Sequence, residues 1–143
     1  MASREIHPHR LAVAVHELGH WVVAKDASIR VLKVRLSGSG AGTNGLCRVR
    51  WPNDDDGALD HAYLLFWLAG CEAQRLHSEK TGTKLDTSGW SADLAKFKKV
   101  RRQHAPSRKW SESSLRADAR RLVRAHWSEI SRLAPRLAER GHL

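Results

Sequence analysis

Two histidines and a glutamate near the amino terminus have types and a spacing that could support chemistry at a metal ion. They form the stretch His16-Glu17-Leu18-Gly19-His20. Residues four apart lie on the same face of a helix, so both imidazoles can reach one ion. Zinc favours imidazole nitrogen and acidifies water, and Glu17, about 100° around the helix, can accept the proton of that water. The pattern predicts zinc bound by His16 and His20, with Glu17 as the catalytic base.

A third ligand is needed, because catalytic zinc usually takes three protein ligands and leaves one position for water. Spacing does not identify it. The carboxylate candidates are Asp60, Glu72, Glu79, Asp86 and Asp93. The other histidines are His7, His9, His61, His77, His104, His126 and His142.

A helix predicted over 8–26 must position His16, Glu17 and His20. Pro8 suits its first turn, because the amide hydrogen that proline lacks has no helical partner there. Apolar residues occur on more than one side of this helix, which is typical of a buried helix. We therefore expect the two histidines to lie in the interior.

The following segments predict a small β hairpin and then helices. Residues 30–36 alternate Val31, Lys33 and Arg35 against Leu32, Val34 and Leu36, and 45–51 alternate in the same way, as strands do. Helices are expected over about 58–79, 91–104 and 111–133, the last one ended or kinked by Pro135. The fold class predicted is mainly α with a small β hairpin or sheet, in one domain over 1–143.

The loop between the two strands matches the GxGxxG pattern at Gly40-Ala41-Gly42-Thr43-Asn44-Gly45. A dinucleotide site needs this pattern to open a helix whose amino terminus holds the phosphates. Here the pattern opens a strand. We therefore interpret it as a flexible hairpin loop.

Composition limits the class of protein. No apolar run reaches the roughly 18 residues of a membrane span, and the first ten residues lack the apolar core of a signal peptide. Cys47 and Cys71 form neither a disulfide framework nor a CxxC pair, and we expect two free thiols. These features predict a protein of the cytoplasm that has no membrane segment.

Positive charge is concentrated in the last third of the chain. Up to Ala95 there are 11 basic and 11 acidic residues, whereas 96–143 contain 14 basic and 4 acidic residues. Arg116, Arg120, Arg121 and Arg124 recur at helical spacing. Such a segment is either a solvated helix face or a footprint for phosphate backbones. Binding of nucleic acid or another polyanion, with a structural or inactive zinc site, is therefore an alternative function.

Four stretches in order resemble the peptidase domain of the FtsH-type ATP-dependent zinc proteases, over about residues 10–100. They are HELGHWVVA, VLKVRLSGSGAGTNG, LAGCEAQRL and DTSGWSADLAKFKKV. The resemblance implies a helical zinc peptidase domain in which Asp93 is the third ligand. Independently of the resemblance, Ala69, Gly70 and Ala73 form a stripe of small residues, which we expect to let the histidine-bearing helix approach closely. Glu72 remains the competing ligand.

The chain departs from that family in three ways. It carries no nucleotide-binding module and no membrane segment, Gln74 stands where the family has an acid, and Trp21 replaces a small residue. A second group, the ImmA/IrrE-type regulatory metallopeptidases, has a similar histidine motif with a glutamate ligand not far downstream. Here the first glutamate after His20 is Glu72, which is far downstream, so a regulatory metallopeptidase of this type is the less favoured alternative.

The sequence thus predicts a zinc-dependent metallopeptidase that cleaves unfolded or flexible polypeptides. Without an ATPase of its own, it could not pull a folded substrate apart. An edge strand of the hairpin could pair with an extended substrate.

Overall fold

The protein is described by a computed structural model that covers residues 5–52, 57–103 and 109–143. Over these residues it is mainly helical with one two-stranded antiparallel sheet, which confirms the predicted fold class. The helices are α1 (Pro8–Asp26), α2 (Asp60–Thr81), α3 (Ser91–Gln103), α4 (Glu112–Ala125) and α5 (Trp127–Arg140). The strands are β1 (Arg30–Ser37) and β2 (Asn44–Arg50). The predicted end of the third helix at His104 lies outside the described residues.

Helix α1 is the centre of the fold, in contact with α2, α4, α5 and both strands. The His7 side chain caps it by accepting a hydrogen bond from the His9 amide, and Pro8 occupies its first turn as predicted. Because α1 has neighbours on several sides, its apolar residues are buried on more than one face. The same surroundings bury His16, Glu17 and His20.

Helices α1 and α2 approach each other closely at small residues. A Cβ added at Gly19 would lie 2.5 Å from the Ala69 carbonyl oxygen and 2.8 Å from the Ala73 Cβ. One added at Gly70 would lie 2.5 Å from Nε2 of His16. The expected approach of the histidine-bearing helix to the small residues of α2 is therefore confirmed.

Strands β1 and β2 form the predicted hairpin, but the alternation expected at its start is wrong. A bulge at Leu32 shifts the register, so that Val31 pairs with Val49 and Lys33 pairs with Arg48. Leu32 is consequently 45% exposed, whereas Val31 is half-buried. The extra residue of a bulge moves the side chains that follow to the other face. The loop between the strands contains a short 3-10 helix, Gly40–Gly42, and opens β2 as expected.

The single helix expected over 111–133 is two helices, which meet at His126. The break lets α4 pack on α2 while α5 packs on α1 and β1. Pro135 does not end α5, which continues to Arg140. Pro135 and Ser131 are both exposed. Water can therefore satisfy the Ser131 carbonyl that the proline leaves without a donor.

Among the described residues, no helix is both long and apolar enough to cross a bilayer. Cys47 and Cys71 are free thiols, half-buried and buried respectively, as expected.

Candidate metal centre

Three side chains from two distant parts of the chain converge beside the α1–α2 contact. Nε2 of His16 lies 2.7 Å from Oδ2 of Asp93, and Nε2 of His20 lies 2.9 Å from the same oxygen. The two Nε2 atoms are 3.2 Å apart. Ligand atoms around a tetrahedral zinc ion at 2.0–2.1 Å are about 3.3 Å from one another. The three atoms are thus slightly closer to one another than zinc ligands are. Imidazole nitrogen and carboxylate oxygen are both atoms that zinc binds.

The other nitrogen of each imidazole is already used. Nδ1 of His20 lies 2.6 Å from the Phe66 carbonyl oxygen, which can only accept, so Nδ1 carries the hydrogen. Nδ1 of His16 lies 2.7 Å from Oε1 of Gln74. The indole Nε1 of Trp90, which can only donate, is also 2.7 Å from that oxygen. Since Gln74 presents its oxygen to Trp90, His16 must also donate from Nδ1.

In its neutral form, each imidazole therefore directs an Nε2 lone pair at the Asp93 carboxylate. Three electron-rich atoms within 3.2 Å of one another repel unless a cation lies among them. That cation can be a proton or a metal ion. The donor set of two imidazoles and one carboxylate fits zinc, and the occupied Nδ1 positions are those expected of metal-bound histidines.

The pKa values of this group reflect the same electrostatics. Burial acts to lower the pKa of His20, but the Asp93 hydrogen bond and charge outweigh it and raise that pKa to about 9. Burial acts to raise the pKa of Asp93, but the hydrogen bonds with His16 and His20 outweigh it and hold that pKa below its ordinary value. The group therefore holds a proton on His20 beside the Asp93 carboxylate at neutral pH, and a metal ion can replace that proton.

Glu17 lies beside the two imidazoles and is 6% exposed. One of its carboxylate oxygens and a ring nitrogen of each histidine lie within 4.8 Å of one another. Burial raises the pKa of Glu17, although the neighbouring imidazoles oppose the change. Gly45 of β2 gives this side chain its space, because a Cβ there would lie 2.6 Å from Cγ of Glu17. A buried carboxylate with a raised pKa suits a general base.

Asp93 reaches the histidines from the first turn of α3, the place that the resemblance implied. Its side chain is 17% exposed, more than those of His16 and His20, so it lies on the solvent side of the group. A carboxylate in the first turn is also favoured by the helix dipole.

Two other carboxylate candidates, Glu72 and Glu79, lie away from the histidines. Glu72 is buried on the α4 side of α2, with Oε2 3.3 Å from Nε of Arg75 and 3.6 Å from Nη1 of Arg116. Glu79 pairs with Arg120 on the surface. Neither is brought to the histidines.

Gln74 and Trp90 are the contributors whose roles the sequence did not predict. Gln74 stands where the resembling family has an acid; it lacks the charge but keeps an acceptor oxygen, and its Oε1 accepts hydrogen bonds from both His16 and Trp90. Its amide nitrogen donates to the Asp86 carbonyl at 3.2 Å. Trp90 is buried, and its indole hydrogen bond fixes the Gln74 amide. The sequence did contain one indication of this role. Gln74 lies four residues after Gly70 on α2, so the two share the helix face expected to meet the histidines.

Replacing Gln74 with alanine should weaken zinc binding by roughly 10- to 100-fold, because His16 loses the acceptor that orients its ring. The measurement is a zinc titration in competition with a chromophoric chelator. Gln74→Glu is the matched control, since a carboxylate oxygen can accept from both His16 and Trp90. Equal zinc affinities for the alanine variant and the unaltered protein would contradict this role.

An open cleft of about 450 Å³ borders the group. Its walls come from α1, from the loop and start of β2, and from the segment before α3. Lining residues include His9, Glu17, Asn44, Gly45, Asp86 and Asp93. At its edge, Nε2 of His9 lies 3.2 Å from the Thr43 carbonyl oxygen and Nδ1 lies 3.6 Å from Asp86. An extended chain in this cleft would pass directly by His16 and Glu17.

No protein-family model matches this chain, and no curated protein matches it significantly. The functional argument therefore depends on the residues themselves.

Proposed function

We propose that this protein is a zinc-dependent metallopeptidase that hydrolyses peptide bonds in unfolded or flexible polypeptides. The observation that carries the proposal is the convergence of the Nε2 lone pairs of His16 and His20 on Asp93, with Glu17 beside them. The resemblance to FtsH-type peptidase domains supports the same activity. Free thiols and the lack of a membrane-spanning helix among the described residues support a cytoplasmic location.

Each residue of the group has a role in this reaction. Zinc held by His16, His20 and Asp93 supplies a Lewis acid for the peptide carbonyl and lowers the pKa of water. Glu17 accepts the proton of the attacking water and later delivers it to the departing amine. Gln74 and the Phe66 carbonyl keep the two imidazoles in the tautomer that binds metal.

The sheet offers a place for an extended substrate. Leu36 donates its amide to the Gly141 carbonyl, and Leu143 donates to the Val34 carbonyl, so Val34 and Leu36 direct their backbone groups away from β2. Their partners on β2 are Cys47 and Gly45. In an antiparallel pair, these two must direct their backbone groups to the opposite edge. Among the described residues nothing else pairs with that edge.

The edge of β2 therefore supports the choice of substrate. Gly45 lines the cleft beside Glu17. A strand added along β2 would therefore bring its peptide bonds to the group formed by His16, Glu17, His20 and Asp93. Only a segment free to become extended can bind in this way. This favours unfolded chains and flexible loops over folded domains. β1 is the weaker candidate, because residues 141–143 already cover part of its outer edge.

Removal of the metal tests the proposal. Purified protein should contain close to one zinc ion per chain and should cleave an unfolded protein such as reduced, alkylated casein. A strong chelator should abolish cleavage, and zinc added after removal of the chelator should restore it. Cleavage that persists in protein shown to be free of zinc and other transition metals would refute the mechanism.

A further inference from the structure

The outward face of the hairpin carries five cations and no carboxylate. Antiparallel partners share a face, so the pairs Arg30–Arg50, Lys33–Arg48 and Arg35–Leu46 define one side of the sheet. The opposite side carries Val34 and Leu36 and packs on α1. The five cations on the outward side are all exposed, and we call them the hairpin basic face: Arg30, Lys33, Arg35, Arg48 and Arg50.

None of these five side chains forms an ion pair with a carboxylate in the described part of the chain. Three of the four arginines that the sequence singled out on α4 differ. Arg116 lies near Glu72 and Glu112, Arg120 pairs with Glu79, and Arg121 pairs with Asp118. Free positive charge is therefore denser on the hairpin than on the helix predicted to carry it.

The basic face continues into a groove of about 500 Å³ beside β1. Lys33 and Arg35 line the groove together with Arg10, Arg140 and His142, and no carboxylate side chain lines it. The face and the groove form a continuous positive surface across the sheet and the end of α5.

We propose that the hairpin basic face binds the phosphate backbone of duplex DNA, independently of His16, Glu17, His20 and Asp93. Four of its five cations are arginines, whose planar guanidinium groups bind phosphate oxygens in pairs. Along each strand, alternate side chains are about 6.6–6.8 Å apart, which places the charges in two parallel rows. A two-stranded ribbon of this kind fits the major groove of a duplex, where a phosphate row lies on each side.

The chemistry of the hairpin distinguishes this partner from an anionic membrane. A protein surface that enters a membrane interface presents large apolar or aromatic side chains at its most protruding part. The tip of this hairpin, 38–43, has only glycine, serine, alanine and threonine. Leu32 and Leu46, the exposed apolar residues of the face, lie among the cations rather than at the tip.

The test measures binding of the full chain to a short fluorescent duplex DNA by anisotropy, between about 0.05 and 0.2 M salt. Five phosphate contacts predict a slope of log affinity against log salt of about −4.5. The double substitution Arg35→Ala/Arg48→Ala should reduce that slope by about 2 and lower the affinity roughly 50-fold at 0.1 M salt.

The matched control is Arg121→Ala/Arg124→Ala on α4, which removes the same charge and should change the affinity less than threefold. Circular dichroism and thermal unfolding establish that both variants are folded. An equal loss in the two variants, a loss confined to the α4 variant, or no binding by the unaltered protein at 0.05 M salt would each overturn the proposal. Binding to phosphatidylserine-containing vesicles without binding to DNA would overturn it in favour of a membrane.

Discussion

Replacement of Glu17 with glutamine should leave the protein folded and able to bind zinc, while peptidase activity falls by roughly 100- to 10,000-fold. The amide has nearly the same shape as the carboxylate, so the close contact with Gly45 is preserved. It cannot accept a proton from water at neutral pH, and that is the role proposed for Glu17. The substitution also removes a buried charge, so the variant should be at least as stable as the unaltered protein.

The measurements are the cleavage rate of an unfolded protein, zinc content and thermal unfolding, on the same preparations. Glu139→Gln is the matched control, because it makes the same chemical change on the exposed surface of α5. It should retain full activity. If Glu17→Gln cleaves at the rate of the control while both hold zinc, Glu17 is not the base.

Replacement of Asp93 with alanine should weaken zinc binding by more than the roughly 10- to 100-fold expected for loss of a residue that only orients a ligand. Oδ2 of Asp93 is the atom on which both Nε2 atoms converge, so its removal leaves two ligands for the ion. Peptidase activity should be lost together with the metal. Zinc content after dialysis and competition titration with a chelator provide the measurement.

The companion substitution is Glu72→Gln, which tests the other carboxylate suggested as a ligand. Glu72 contacts Arg75 and Arg116 rather than the histidines, so this variant should keep its zinc. It should unfold at a lower temperature, because Arg75 loses its carboxylate partner and Arg116 keeps only Glu112. Zinc loss in Glu72→Gln, with zinc retained in Asp93→Ala, would exchange the two assignments.

The histidine helix was predictable because its chemistry and its local structure depend on neighbouring residues. Positions 16, 17 and 20 share a helix that Pro8 starts and apolar neighbours bury. Asp93 was different, since it lies 73 residues after His20 and only the packing of α3 brings it near. Spacing could not distinguish Asp93 from Glu72, and the resemblance alone pointed to it.

The errors also have physical causes. Val123 and Ile130 are both buried and are seven residues apart, about two helical turns, so the apolar pattern continues in phase across the break at His126. At Gln74, the sequence keeps an acceptor oxygen but not the charge of the acid that the resembling family has there. His16 needs only an oxygen that accepts a hydrogen bond, which an amide supplies as well as an acid does.

The charge count gave no sign of the basic hairpin, for a related reason. A count over two-thirds of the chain gives equal numbers of acids and bases up to Ala95. It does not show that β1 and β2 contain five bases and no acid, nor that a bulge at Leu32 places Lys33 opposite Arg48. Pairing of strands, rather than composition, determines which charges share a surface.

The three glycines packed around His16, Glu17 and His20 limit which substitutions the sequence can accept during evolution. Gly19, Gly45 and Gly70 lie on three different elements, and a methyl group at any of them would collide with the opposite helix, with Glu17 or with His16. In a descendant sequence, the two histidines could therefore persist while a single alanine at position 70 displaced one of them. Inheritance of these glycines together with the histidines is thus the better criterion for recognising homologues that have kept this arrangement of side chains.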